Sequence, residues 1–307
     1  MTKLIFFMPI VAIFITSCGE HQSDVEFFVG DKKALFSFLN KCDNVEFWKK
    51  NKQTCKNVEE ALFITTKNDV FSEVSNFVSD ENETIDRYKR GMAWIEKDFE
   101  PDRIKSFDDF KYSANAGYAP AQYELGRIYF DSLDVKIESE IPESYHYLIK
   151  IGKAIAYFEL SAKQENSNAQ YRLYYYYDEA FSRTYPIVEN YETAKAKAFY
   201  WLDKAEKNGN YSAKFVMAQK YDYCSSPVKA NDKNNCEFLE NYHENIAKTI
   251  ELYTFLAENG EFYAIRRLEQ IYREGQYGIA KDEDKANKYL ELINLRNKFY
   301  GYPLLER

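Results

Sequence analysis

The residue types that most often carry enzyme chemistry are sparse in this chain of 307 residues. Two of its three histidines, His146 and His243, lie beyond residue 104, and neither falls in a metal-ligand spacing such as HExxH. No GxSxG, P-loop or GxGxxG motif occurs. The acidic run at 282–284 could suggest a metal site, but carboxylates are also favoured where a helix begins. The sequence therefore predicts no catalytic, metal-binding or cofactor-binding residue, and a protein that is not an enzyme.

Residues 1–17 have the pattern of a secretory signal peptide. Lys3 supplies a positive charge, and residues 4–15 form a nearly unbroken apolar run of twelve. As a helix this run is about 18 Å long, short of the roughly 30 Å hydrocarbon core of a bilayer. No later apolar stretch of the chain approaches eighteen residues.

The end of this segment, Ile15-Thr16-Ser17-Cys18, resembles the lipobox of bacterial lipoproteins. The resemblance implies a lipidated Cys18, with residues 18–30 as a tether. Gly19, in place of the aspartate that usually retains such proteins in the inner membrane, implies an outer-membrane anchor facing the periplasm. An ordinary secretory signal, with Cys18 as a bystander, is the alternative.

Four further cysteines fall into two local pairs. Cys42 and Cys55 are 13 residues apart, and Cys224 and Cys236 are 12 apart. Four cysteines allow three pairings, but export to an oxidising compartment favours these two disulfides over free buried thiols. A zinc site is disfavoured because no CxxC occurs and the histidines are distant in sequence.

The composition is that of a folded, acidic protein. The chain has 45% hydrophobic and 29% charged residues and a net charge of −8. It contains no block of Lys and Arg, which disfavours nucleic acid as a partner, and anionic head groups would repel it. Its unusual feature is 17% aromatic residues, including 27 Tyr, nearly all of them after residue 106.

Residues 31–103 form a mostly helical region without an internal repeat. Asp31 is a suitable N-cap for a helix whose Leu35, Phe38 and Leu39 share one face, and 83–99 has the pattern of a longer helix. Residues 62–66 could be a strand or a buried helical segment. We expect this region to act as a packing cap for the C-terminal part of the chain.

Residues 104–307 contain an internal repeat. Its four anchors are Gly117, Glu165, Gly209 and Gly260. An alanine follows each anchor after four residues, a bulky apolar residue after eight, and a tyrosine after twelve. Because residues four apart share a helix face, each unit is predicted to be a helix, a tight turn and a second helix with one apolar stripe.

The first unit, Ser113 to Tyr129, resembles the Sel-one-like repeat (SLR), with a pattern near A-A-x-x-G-x-x-x-A-x-Y-x-L-G-x-x-Y. The resemblance covers about residues 104–297. It implies an all-α fold, a tetratricopeptide-like α/α solenoid of about four to five helix-turn-helix repeats. The anchors are 48, 44 and 51 residues apart rather than about 36, so each unit carries an insertion. Glu165 replaces the usual glycine, which puts the turn of the second unit in doubt.

Some of the tyrosines have no place in the repeat. Four consecutive tyrosines, 174–177, sweep about 300° around a helix and cannot all be buried. Tyr177 belongs to the apolar stripe, so we expect Tyr175 or Tyr176 to be exposed. Exposed tyrosines are enriched at protein interfaces. The candidate partner-binding residues are Tyr145, Tyr147, Tyr175, Tyr176, Tyr185 and Tyr191.

These observations favour a non-enzymatic envelope lipoprotein that binds another protein. Resemblance to lipid-anchored SLR proteins encoded beside secreted antibacterial effectors implies an immunity protein, one that neutralises a periplasm-acting toxin by occlusion. A scaffold or regulator in cell-envelope assembly is the alternative. A disulfide-rich SLR hydrolase is less favoured, because it would have paired cysteines in every repeat. The membrane is expected to be contacted through the lipid anchor only.

Overall fold

The computed structural model describes residues 25–95, 100–131, 141–178, 191–225, 236 and 242–305. The predicted signal peptide and Cys18 lie outside the described residues. Within them the secondary structure is entirely helical, as the sequence predicts. None of the helices in these ranges is long and apolar enough to cross a membrane.

Fourteen α-helices are described. They are α1 Val25–Gly30, α2 Lys32–Cys42, α3 Val45–Lys50, α4 Lys52–Ser75, α5 Glu81–Ile95, α6 Glu100–Asn115, α7 Ala119–Asp131, α8 His146–Lys163, α9 Ser167–Tyr177, α10 Tyr191–Lys207, α11 Tyr211–Cys224, α12 Tyr242–Glu258, α13 Phe262–Glu274 and α14 Glu283–Tyr300. Short 3₁₀ turns span Glu143–Tyr145 and Gln276–Gly278.

Each helix from α5 to α14 packs against the next one along the chain. The four predicted units are the pairs α6–α7, α8–α9, α10–α11 and α12–α13, and α14 is the first helix of a fifth. This is an α/α solenoid. Its alanine stripe is fully buried, and the bulky residues four positions later are buried with it. The described ranges thus confirm the repeat read from the sequence.

The turn inside each unit depends on one residue with positive φ. The anchor residues adopt φ of 89° at Gly117, 64° at Glu165, 84° at Gly209 and 83° at Gly260. Glu165 therefore forms the same turn as the glycines, although a side chain in this conformation costs about 1 kcal/mol or more. The doubt about the second turn was unfounded. Gly301, with φ of 73°, ends α14 in the same way.

The N-terminal helices are not stacked on the end of the solenoid. Helices α1, α2 and α3 pack on α4, and α4 packs across α8 and α6. Helix α5, which lies inside the predicted 31–103 region, instead pairs with α6 and begins the regular series. Residues 62–66, which the sequence left open between strand and helix, lie in the middle of α4. Helices α1–α4 are therefore a lateral cover, whereas α5 extends the helical series at its N-terminal end.

Both predicted disulfides are present. Cys42 at the end of α2 is bonded to Cys55 in α4, and Cys224 at the end of α11 is bonded to Cys236. The Cα–Cα distances are 5.6 Å and 5.7 Å, within the usual range. Disulfides of this kind persist in oxidising surroundings, so they indicate an extracytoplasmic location.

Candidate protein-binding surface

One face of the first helix in each unit points away from its own unit. It consists of the residues 13, 9, 6 and 2 positions before the anchor, a spacing of four, three and four that keeps them on one side of a helix. We call this surface the first-helix face. On α8 its members are Gly152, Ala156, Glu159 and Lys163.

Helix α4 covers this face on α8. Gly152 lies so close to α4 that an added Cβ would be 3.1 Å from Cβ of Thr66 and 3.3 Å from the carbonyl oxygen of Phe63. The ammonium of Lys67 lies 2.6 Å from Oε1 of Glu159, and both side chains are mostly buried. The small residue therefore permits close approach, and the ion pair fixes the register of α4 on α8.

The cover continues onto α6. There Oε1 of Glu73 accepts a hydrogen bond from Nδ2 of Asn115 at 2.7 Å and lies 3.6 Å from the ammonium of Lys111. Asn115 and Lys111 are the residues 2 and 6 positions before the anchor Gly117, so they are the equivalents of the α8 residues. One helix of the chain thus occupies the first-helix face of two consecutive units.

This cover buries two of the tyrosines predicted to bind a partner. Tyr176 is 1% exposed and stacks on Phe63 of α4, with ring centroids 6.3 Å apart. Tyr145 is also buried, beside Glu59 and Asp43 of the N-terminal region, and burial raises the pKa of its hydroxyl. As contact residues for a partner these two were wrong, because the prediction had no way to place α4 over them.

The other tyrosine candidates separate into two groups. Tyr147 and Tyr175 are exposed, Tyr175 by 49%, as the sweep of 174–177 around the helix required. Tyr185 and the side chain of Tyr191 lie outside the described residues. The structure therefore leaves Tyr147 and Tyr175 as accessible candidates.

The first-helix face is exposed on α10 and α12. On α10 it consists of Ala196, Tyr200, Asp203 and Lys207, and on α12 of Ala247, Glu251, Thr254 and Glu258. Tyr200 is 52% exposed, and Phe255 beside the α12 face is also exposed. Each aromatic ring has a lysine ammonium above it, Lys204 at 5.9 Å from Tyr200 and Lys214 at 5.3 Å from Phe255.

The charges around these rings are of both signs. Lys207 lies 2.8 Å from Asp203, and Lys248 lies 3.0 Å from Glu251. Exposed aromatic rings bordered by paired charges are typical of a protein-binding surface. We refer to the face on α10 and α12 as the open face.

Tyr200 was missed at the sequence level, although a signal was available. Residues 198–202, Ala-Phe-Tyr-Trp-Leu, are five consecutive apolar or aromatic residues in a helix. They cannot all be buried, for the reason that applied to 174–177. Comparing the positions before the anchors would have placed Tyr200 on the first-helix face.

A largely buried polar cluster around Asp222 has a structural role. Asp222 of α11 accepts hydrogen bonds from Arg267 of α13, at 2.7 Å and 2.9 Å, and from Tyr253 of α12 at 3.1 Å. The hydroxyl of Tyr277 also bonds to Asp222. These mutually paired groups tie three helices and the 3₁₀ turn together.

The other residues that could do chemistry have local roles. Asp282 of the acidic run is the N-cap of α14 and accepts a hydrogen bond from the backbone NH of Lys285 at 2.9 Å. A ring nitrogen of His146, at the start of α8, lies 3.0 Å from the carbonyl oxygen of Ile141. Within the described ranges, no group of three or more His, Cys, Asp or Glu side chains is arranged to hold a metal ion.

Comparison with known proteins finds similarity both in sequence and in fold. A putative sel1-like repeat-containing protein, L21, of Acanthamoeba polyphaga mimivirus is 32% identical over 130 residues, which are 42% of this chain. The matched segment spans 19% of that protein. No protein-family model matches the chain.

Two solved structures have a limited similarity to this chain. The protective antigen c5321 of uropathogenic Escherichia coli, which displays an SLR fold, is 17% identical, with a TM-score of 0.46 over 92% of this chain and 61% of that one. A Sel1 repeat protein from Oxalobacter formigenes is 17% identical, with a TM-score of 0.39 over 69% of this chain and 88% of that one. The chain is thus an α/α solenoid, and over 130 residues its sequence is similar to that of a sel1-like repeat-containing protein.

Proposed function

We propose that this protein is a non-enzymatic envelope lipoprotein that binds another protein through the open face. The main observation behind the proposal is that the first-helix face is covered by α4 on α6 and α8 but exposed on α10 and α12. The solenoid already binds a helix there, within its own chain. The exposed continuation offers aromatic anchors of the type that dominate binding energy in protein interfaces.

The contact with α4 indicates what the open face accepts. Helix α4 contributes the ring of Phe63, the methyl group of Thr66 and a cation at Lys67, which meets a carboxylate six positions before the anchor. The equivalent residue of α10 is Asp203. A partner segment with an apolar stripe and a basic residue can therefore replace the Asp203–Lys207 pair with one between chains.

The envelope location rests on two kinds of support. The disulfides indicate an oxidising compartment, and the lipobox-like segment places a lipid-accepting cysteine ahead of the folded region. Several acyl chains on Cys18 would hold the solenoid at a membrane, facing the periplasm. Replacing Cys18 with Ser should release the protein from membranes, and lipid labelling of that variant would contradict the anchor.

Within this role we favour an immunity protein that neutralises a secreted antibacterial effector acting in the periplasm. The mechanism is occlusion: the solenoid holds the effector and blocks access to its substrate. The net charge of −8 suits a basic effector surface, which would be attracted over distance as well as bound. A scaffold in envelope assembly would use the same face, so the choice between them depends on the partner.

A toxicity assay tests this proposal. An immunity role predicts a secreted-effector gene beside this one, and that effector, exported to the periplasm, should kill cells that lack the protein and spare cells that make it. Changing Tyr200 to Glu should abolish the protection, while changing Phe36 to Glu, an exposed aromatic residue on α2 outside the open face, should preserve it. Protection that survives Tyr200→Glu and Phe255→Glu together would show that the open face is not the binding site.

A further inference from the structure

The first-helix face changes character on the last helix. On α14 the four positions before Gly301 are Lys288, Leu292, Leu295 and Phe299. Leu295 is 65% exposed and Phe299 is 81% exposed, and Leu292 is exposed as well. At the positions 6 and 2 residues before the anchor, α10 carries Asp203 and Lys207, and α12 carries Thr254 and Glu258. Helix α14 carries Leu295 and Phe299 there, so its first-helix face is an apolar stripe.

This stripe is distinct from the end of the solenoid where a next helix would stack. Seven positions before the anchor, α8, α10 and α12 carry Phe158, Leu202 and Tyr253, all buried. In α14 that position is Asn294, whose amide exchanges two hydrogen bonds with the backbone of Leu305, at 2.9 Å and 2.8 Å. Asn297 donates to the carbonyl of Pro303 at 3.0 Å. The tail thus covers that flank with polar contacts and leaves the stripe exposed on the other side.

The spacing of the stripe is that of a helix-to-helix seam. Residues 288, 292, 295 and 299 repeat every four and three positions, as the a and d positions of a coiled coil do. Glu291 and Lys298 line its edge at the flanking g position, seven residues apart. In an antiparallel pair, g positions of one helix face g positions of the other.

We propose that α14 pairs antiparallel with α14 of a second copy of this chain. In that register Leu292 of each copy meets Leu295 of the other, and Glu291 of each meets Lys298 of the other. The surface is self-complementary in its charges and in the order of its apolar residues, as a twofold interface requires. Three apolar side chains from each copy make a small contact, so the dimer should depend on concentration. This inference does not depend on the proposed function, because α14 lies outside the open face.

Cysteine cross-linking in cells that make the full chain tests the register. The double variant Glu291→Cys, Lys298→Cys should give a dimer on non-reducing electrophoresis. Two residues seven apart on one helix are separated by about 10 Å of rise, so they cannot bond within a chain. The matched control Asp284→Cys, Glu291→Cys has the same spacing and edge but no facing partner in this register, and it should remain monomeric.

Charge reversal distinguishes this pairing from a generally sticky surface. With the purified full chain, light scattering over a dilution series should show that Leu295→Glu prevents dimerisation while helicity is kept. Glu291→Lys alone should raise the dissociation constant about threefold to tenfold, because two lysine–lysine pairs then face each other across the dimer. Adding Lys298→Glu should return the dissociation constant to that of the unaltered chain. A monomer at every concentration, disulfide cross-links to a different protein instead of a second copy, or a charge swap that fails to restore the dimer would each overturn the proposal.

Discussion

The first-helix face is covered on α8 and open on α10, although the two helices occupy equivalent places in consecutive units. At 13 and 9 positions before the anchor α8 has Gly152 and Ala156, whereas α10 has Ala196 and Tyr200. Six positions before it, Glu159 is paired with Lys67 of α4, whereas Asp203 is paired with Lys207 of its own helix. On α8, small side chains and a carboxylate that pairs with Lys67 allow α4 to pack closely. On α10, a large ring and a carboxylate that pairs within its own helix leave the surface open.

The largest effect on this difference between α8 and α10 is expected from a substitution that fills the space between α4 and α8. In Gly152→Leu the first added carbon already meets Thr66 and the backbone of Phe63, and the remaining carbons have no room. We expect a loss of about 3 kcal/mol or more in the free energy of unfolding, measured by chemical denaturation. Helix propensity alone would favour leucine by up to about 1 kcal/mol, so packing must outweigh it.

The matched control is Ala196→Leu, at the same position on α10, where the side chain is exposed. Its free energy of unfolding should stay within about 0.5 kcal/mol of the unaltered chain. Equal effects of the two substitutions would mean that α4 does not rest on Gly152.

The two disulfides close loops of nearly equal length but join different parts of the molecule. Replacing Cys42 and Cys55 with Ala should cost between about 2 and 3 kcal/mol, and so should replacing Cys224 and Cys236. Only the first pair holds the helices that cover α8. Limited proteolysis should therefore release α1–α4 from the first variant before the second. Identical cleavage of both variants would argue that the cover is held by its contacts alone.

Neutralising the carboxylates six positions before the anchor, Glu159 on α8 and Asp203 on α10, should give a smaller difference in stability. Glu159→Gln should cost about 2 kcal/mol, because it leaves the mostly buried ammonium of Lys67 without its counter-ion. Asp203→Asn breaks a pair within one helix whose lysine is largely exposed, so it should cost less than about 0.5 kcal/mol. Thermal denaturation of the two variants side by side measures the difference. A larger effect for Asp203→Asn would reverse the assignment of covered and open faces.

What the sequence could predict was local or periodic. The alanine and tyrosine stripes, the helix capped by Asp31 and the two short-range disulfides all depend on residues within about fourteen positions of each other. Even Glu165 could have been placed correctly, because the spacing of its neighbours already required the turn. The repeat thus carried most of the fold.

The position of α4 was outside the reach of such patterns. Lys67 meets Glu159 across 92 residues of chain, and Gly152 reads as an ordinary helix position until Thr66 is placed on it. That long-range contact decides which tyrosines are exposed. Helix α4 buries Tyr145 and Tyr176, whereas Tyr200 is exposed on the open face. Tyr200 lies neither in an insertion nor in the run 174–177, so these two features did not point to it.

The smallest expected effect is on the pH dependence of the free energy of unfolding at alkaline pH. It concerns the tyrosines buried under the N-terminal helices. Burial, with Glu59 and Asp43 nearby, raises the pKa of the Tyr145 hydroxyl, and burial raises that of Tyr176. In the unfolded chain both hydroxyls ionise near pH 10. Their neutral forms therefore stabilise the fold fully below pH 10, and that contribution is lost as the pH rises above it. Each contributes a slope of about 1.4 kcal/mol per pH unit there.

Replacing Tyr145 with Phe should remove one such slope, so the free energy of unfolding measured from pH 9 to 11 should fall less steeply than in the unaltered chain. Below pH 9 the two curves should run parallel, and parallel curves at pH 11 as well would mean that Tyr145 is not buried under the N-terminal helices.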